Sequence, residues 1–177
     1  MNLKTVFSEL ATALNNDSDI SSFLSTTYGV SSIGRINIGT DPEDYPVVSE
    51  TTAIYLLPGS RSRTRGDAYR QHNISVICLV NAETTTETEQ EPTEPTNNDD
   101  TETEPSQTDD EPVSTNIEKI DALGLLDEFT NLVEKCVFDK LQSLRLAVTP
   151  LSGESDELYY PIAVSELAYS IEIPSRI

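Results

Sequence analysis

Four of the chain's 11 basic residues, Arg61, Arg63, Arg65 and Arg70, lie close together in a sequence that holds 31 acidic residues and a formal charge of −20. Successive side chains of an extended segment point to opposite sides, so a spacing of two sets Arg61, Arg63 and Arg65 on one side of an arm. Guanidinium groups fork onto carboxylates. The chemistry on offer is therefore docking onto an acidic surface of a neighbouring subunit or of a partner. The plainer alternative is a solvated hairpin tip whose charges keep a strand edge soluble. A DNA contact fits less well, because the overall field is negative.

Catalytic chemistry is hard to assemble from the remaining residues. No glycine is followed by lysine, so a phosphate-cradling loop is missing, and no G-x-S-x-G elbow occurs. His72 is the sole histidine, which argues against histidine-rich metal sites and leaves little for a general base. It reads as a polar residue opening a strand. Cys78 and Cys136 fall on apolar faces and read as small core residues. Asn73-Ile74-Ser75 matches a glycosylation sequon inside an expected strand and is discounted. Paired carboxylates are abundant, but nothing fixes their separation as a glycosidase requires, and the spaced ligands of a calcium loop are missing. The expectation is a protein that is not an enzyme and that uses no cofactor and no metal.

The acidity is concentrated. Residues 83–112 contain 12 Asp/Glu, nine Thr and four Pro, with no basic, aliphatic or aromatic residue. Such a stretch buries nothing to offset its ordering entropy, and its charges repel, so a flexible insertion is expected. Subtracting its −12 from −20 leaves −8 for the other 147 positions, an ordinary value. A charge of −20 argues against general nucleic-acid binding, which needs net cations to displace counterions. Two cysteines make no disulfide framework, the opening Asn2-Leu3-Lys4 predicts no signal peptide, and no apolar run is long enough to span a membrane.

The elements that position these residues are legible in the spacing. Leu3, Val6, Phe7, Leu10 and Leu14 form a helical stripe with Asn2 as N-cap. Asp17 caps a second helix lined by Ile20, Phe23, Leu24 and Tyr28, and Gly29 ends it. Arg35–Ile38 is a short strand, and 40–44 a polar turn. Thr51–Leu57 is a strand stopped at Pro58-Gly59. Asn73–Asn81 is its antiparallel neighbour, with Ile74, Val76, Cys78 and Val80 on one face and an arm between the two. Thr115 and Glu118 form a capping box. A long helix then runs to about 141–144 with the stripe Ala122, Leu125, Leu126, Phe129, Leu132, Val133, Cys136 and Val137. Leu144, Leu146 and Val148 begin a strand before Pro150. The last strand places Leu167, Tyr169, Ile171 and Ile173 on one face. Neither 1–82 nor 113–177 makes a core alone. The expected architecture is one α+β domain over 1–177: a mostly antiparallel sheet of about four strands, packed by N-terminal and central amphipathic helices and interrupted by the insertion at 83–112.

An N-terminal amphipathic helix is followed by Asp44-Tyr45-Pro46-Val47-Val48, Leu57-Pro58-Gly59-Ser60 and an arginine-containing hairpin leading to Ile74-Ser75-Val76-Ile77. A long helix and a closing Ala168-Tyr169-Ser170-Ile171-Glu172-Ile173 strand complete the order. This order resembles that of the tail terminator (tail completion) proteins of tailed bacteriophages, including the lambda-like ones. The acidic insertion departs from the compact family pattern. The resemblance implies a structural virion protein, assembled in the host cytoplasm, that forms a hexameric ring, terminates the tail tube and joins it to the neck connector. Its implied partners are copies of itself, the tube protein and a neck or connector protein, with DNA passing through unbound. In that setting Arg61, Arg63, Arg65 and Arg70 are the candidate subunit or tube interface. Two other functions stand beside it: a different neck component, such as a stopper or head–tail joining protein, and an acidic DNA mimic. A mimic would lose activity on deletion of 83–112, whereas a terminator would still assemble.

Overall fold

The computed structural model describes residues 1–39, 51–63, 69–82, 122–151, 156–159 and 161–174. The insertion at 83–112, Arg65, the 40–44 turn, the 44–48 segment and the Thr115/Glu118 capping box lie outside them. The described elements belong to one compact unit, which the chain leaves at residue 86 and re-enters at residue 120.

Two helices open the chain: α1 (Leu3–Asn15) and α2 (Ser18–Tyr28). Asn2 caps α1, its side-chain oxygen accepting from the Thr5 amide at 2.8 Å. Asp17 caps α2 by accepting from the Asp19 and Ile20 amides. Each cap satisfies first-turn donors that have no intrahelical partner. Gly29 ends α2 at φ 68°, a left-handed conformation that glycine adopts without steric cost. The third helix, α3 (Ala122–Ser143), ends at Arg145, which takes φ 57° without being glycine. That turn lets the Leu146 amide donate back to the Leu141 carbonyl and buries the Leu146 side chain.

The strands are β1 (Arg35–Ile38), β2 (Thr52–Arg63), β3 (Tyr69–Asn81), β4 (Ala147–Leu151), β5 (Asp156–Tyr159) and β6 (Ile162–Pro174). They form one sheet in the order β1-β2-β3-β6-β4, with β5 also paired to β6. Only β1 with β2 is parallel. The fold is thus α+β with a mostly antiparallel sheet. Among the described residues it has six strands rather than about four, since the short β1 joins it at one edge and the edge beside β6 is built from two short pieces. β4 pairs with residues 168–172 and β5 with residues 162–165. A four-residue strand such as β5 leaves too brief an alternation to stand out in the sequence.

All three helices pack on one face of the sheet. The core there joins Val6, Leu10 and Leu14 of α1, Ile20 and Leu24 of α2, and Phe129, Val133 and Val137 of α3 to Ile54, Leu56, Ile74, Val76, Cys78, Leu167, Tyr169 and Ile171. Phe129 stacks on Phe23 with ring centroids 5.8 Å apart, and Phe23 meets Tyr28 edge-on. The Phe23–Phe129 stack ties α2 to α3. Cys78 and Cys136 are buried, as their positions in the apolar stripes predict, and burial pushes each thiol up to about 12. The opposite face carries a smaller apolar group, with Ala53, Tyr55 and Leu79 buried and Leu57, Ile77, Ile162 and Val164 half-buried around them.

Candidate functional site: a cationic ribbon and the cavity at its base

β2 does not stop at Pro58-Gly59, as the composition suggests; it continues to Arg63, and β3 starts at Tyr69. The Leu56 carbonyl accepts from the Gly39 amide, so Leu56 turns its polar backbone groups toward the β1 side. Pro58, two residues on, faces the same way, away from β3. β1 pairs only with residues 53–56, and the amide hydrogen that proline lacks is therefore not needed in the β2–β3 ladder. The two strands extend together as a ribbon beyond the end of β1.

A bulge then decides which way the arginines face. Pro58 pairs with Ile74 and Arg61 with His72, leaving Gly59 and Ser60 together opposite Asn73. Strict alternation from Leu56 and Pro58 would carry Ser60 and Ser62 along the helix-packed face and turn Arg61 and Arg63 away from it. The extra residue reverses that parity. Arg61 now stands opposite His72, and Arg63 opposite Arg70. In the next ladder, His72 pairs with Ile171 and Arg70 with Ile173, both core residues of the helix-packed face. Arg61, Arg70 and His72 therefore occupy one side of the ribbon, the side on which the helices lie, with Arg63 at the next ladder position.

Gly59 makes the bulge possible. A Cβ at this position would sit 3.1 Å from the Asn73 carbonyl oxygen and 3.2 Å from the Asn73 Cβ. The other side of the ribbon is tied together by neutral polar groups. Asn73 Nδ2 donates to Ser60 Oγ at 2.9 Å, Ser62 Oγ donates to Gln71 Oε1 at 3.0 Å, and Gln71 Nε2 donates to Ser170 Oγ at 2.7 Å. The ribbon thus has a self-satisfied amide and hydroxyl side and a cationic side.

The cationic side borders a cavity of about 570 Å³ between the ribbon and the start of α1. Arg61, Arg70, His72 and Asn2 contribute polar groups to its wall, while Leu3, Pro58, Ile173 and Pro174 contribute apolar surface. Arg61 and Arg70 are exposed. The side-chain ion pairs between described residues lie elsewhere, Lys135 with Asp19 at 2.9 Å and Lys140 with Glu9 at 2.8 Å. His72 is held below its usual value, first by partial burial and then by the charges of Arg61 and Arg70. At neutral pH it is an uncharged donor and acceptor between two fixed cations.

The structure thus brings together three of the four arginines singled out in the sequence, with Arg61 and Arg70 at the cavity and Arg63 in the adjoining ladder position. His72 was set aside as a bland strand residue, and its place in the cavity depends on cross-strand register and on α1, neither of which a single strand displays. Among the described residues no cluster of histidine, cysteine and carboxylate side chains is placed to hold a metal ion. No described helix is long and apolar enough to cross a membrane. No known protein-family model and no curated protein matches the chain.

Proposed function

We propose that the chain is a structural subunit that closes into a ring with copies of itself, as the likeness to phage tail terminators implies. In this role it caps a tail tube, meets a neck or connector protein on its other side, and resides in the virion after assembly in the host cytoplasm. The observation that carries the reading is the cationic side of the β2–β3 ribbon. Arg61 and Arg70 are both exposed on that side, and no described carboxylate pairs with either. A subunit that holds such charges without a carboxylate partner among its described residues is suited to meet carboxylates outside itself.

A closed ring needs a heterologous interface, in which one patch meets a different patch on the next copy. A ribbon of arginines and a chain of net charge −20 supply the two complementary sides. The same net charge gives a ring an electronegative lumen, through which DNA passes without displacing counterions onto the protein. Native mass spectrometry and electron microscopy of the purified chain, alone and with tail tubes, test the proposal. The expected result is a closed oligomer, six-membered if it follows the terminators, seated at a tube end. A chain that stays monomeric at all concentrations and never joins tubes overturns it.

A further inference from the structure

We infer that the cavity at the base of the ribbon is a receptor for an acidic peptide segment in which an apolar residue adjoins a carboxylate. This deepens the assembly proposal and rests on it for the origin of the peptide, a second copy of this acidic chain. The pocket's own walls define what it can take. Arg61 and Arg70 reach its rim from two different strands, on the same side of the ladder and with His72 between them. Two guanidinium groups lining one cavity suit planar carboxylates. Neutral His72 adds a hydrogen-bonding group without adding charge.

The rest of the wall selects against a bare ion. Leu3, Pro58, Ile173 and Pro174 offer rigid apolar surface beside the cations. A volume of about 570 Å³ falls in the range of roughly 300–1,000 Å³ typical of sites for drug-sized molecules, far more than one oxyanion fills. The bound segment would set its carboxylate on the arginines and its neighbouring aliphatic side chain on the two prolines and Ile173. Asn2 does not compete for the peptide, because its side-chain oxygen already accepts from the Thr5 amide and hydroxyl. Nucleic acid suits the site poorly. A polyanion needs many cations along its path, and a chain of charge −20 repels it everywhere else.

Fluorescence anisotropy on the full chain tests this with a fluorescein-labelled Gly-Asp-Leu-Glu-Gly peptide. Controls are the same peptide with Asn and Gln in place of its acids, one with Ser in place of Leu, inorganic phosphate as competitor, and a labelled DNA duplex. Arg61→Ala and Arg70→Ala should each weaken binding of the acidic peptide about tenfold or more, the effect of losing one charge-assisted contact. The Asn/Gln peptide should lose as much, and the Ser peptide several-fold. Both substituted positions are exposed, and a thermal melt of each variant checks that the fold is intact. Equal binding by the Arg variants, equal affinity for the Asn/Gln peptide, tighter binding of the duplex, or displacement by phosphate at concentrations matching the peptide's own each overturns the inference. Mass measurement on the same samples separates the two proposals. A chain that forms rings but binds no peptide overturns the pocket alone, and one that binds peptide yet stays monomeric overturns the ring alone.

Discussion

Arg70→Glu should stabilise the isolated subunit while destroying its ability to engage a partner. Arg70 stands directly opposite Arg63, and the positions beside it on the same side of the ladder are His72 and Ile173, neither of them acidic. Directly opposed charges in a ladder contribute roughly 0.2–1 kcal/mol, favourable for unlike signs and unfavourable for like. Reversing one sign therefore swings the pair by about 0.5–2 kcal/mol toward stability. The two units of added negative charge on an acidic chain oppose this only weakly at physiological salt, where screening acts over about 8 Å. For a chain of this size each kcal/mol moves the melting midpoint by about 2–4 °C, so a rise of about 1–8 °C is expected. Arg70→Gln removes the repulsion without adding attraction and should give about half of it. Thermal and urea unfolding at about 0.01 M and about 1 M salt, where the screening length falls from ~30 to ~3 Å, should show the gain at low salt and its loss at high salt. Assembly and acidic-peptide binding should fail in both variants. If both variants melt below the wild type at low salt, Arg70 is compensated within the subunit, and the argument for an outward-directed charge collapses.

Gly59→Ala should cost about 1 kcal/mol or more, because Asn73 must yield a few tenths of an ångström to admit a methyl group; a substitution that is neutral in urea unfolding would show that the bulge relaxes freely. Phe129→Ala removes a fully buried ring that stacks on Phe23, and should lower stability by about 3–5 kcal/mol in the same assay. Burial raises the thiols of Cys78 and Cys136 from 9.0 to about 12, so the folded state holds their protons longer than the unfolded state does. Their contribution is intact below pH 9 and is lost as pH rises from about 9 toward 12, with a slope of up to about 2.7 kcal/mol per pH unit for the two together; a flat urea midpoint across that window, or rapid alkylation of the native protein at neutral pH, would contradict it. His72 should titrate higher in Arg61→Gln and in Arg70→Gln than in the wild type, since each variant removes a cation that disfavours its protonated form; an unchanged histidine titration by NMR would place those charges too far away to matter.

The sequence by itself determined the helices and their caps. Asn2, Asp17 and Gly29 are local signals, acting within one turn of the chain, and their roles follow from residue type and spacing. It also determined the apolar faces of β3 and β6, because a period of two persists for many residues in each, and with them the α+β class and the burial of Cys78 and Cys136. β2 runs on to Arg63 past Pro58-Gly59, because that pair stops a strand only where the edge carrying the missing amide hydrogen must be paired, and pairing is a property of the neighbour. β5 was hidden for the same reason, being a four-residue strand held by β6 rather than by its own composition. The arginines at two-residue spacing were visible as a group. Which side they faced, and that His72 and the start of α1 would meet them around a cavity, depended on one extra residue in the ladder. A bulge is fixed by how two strands pair across the turn between them, and only the folded chain brings those strands together.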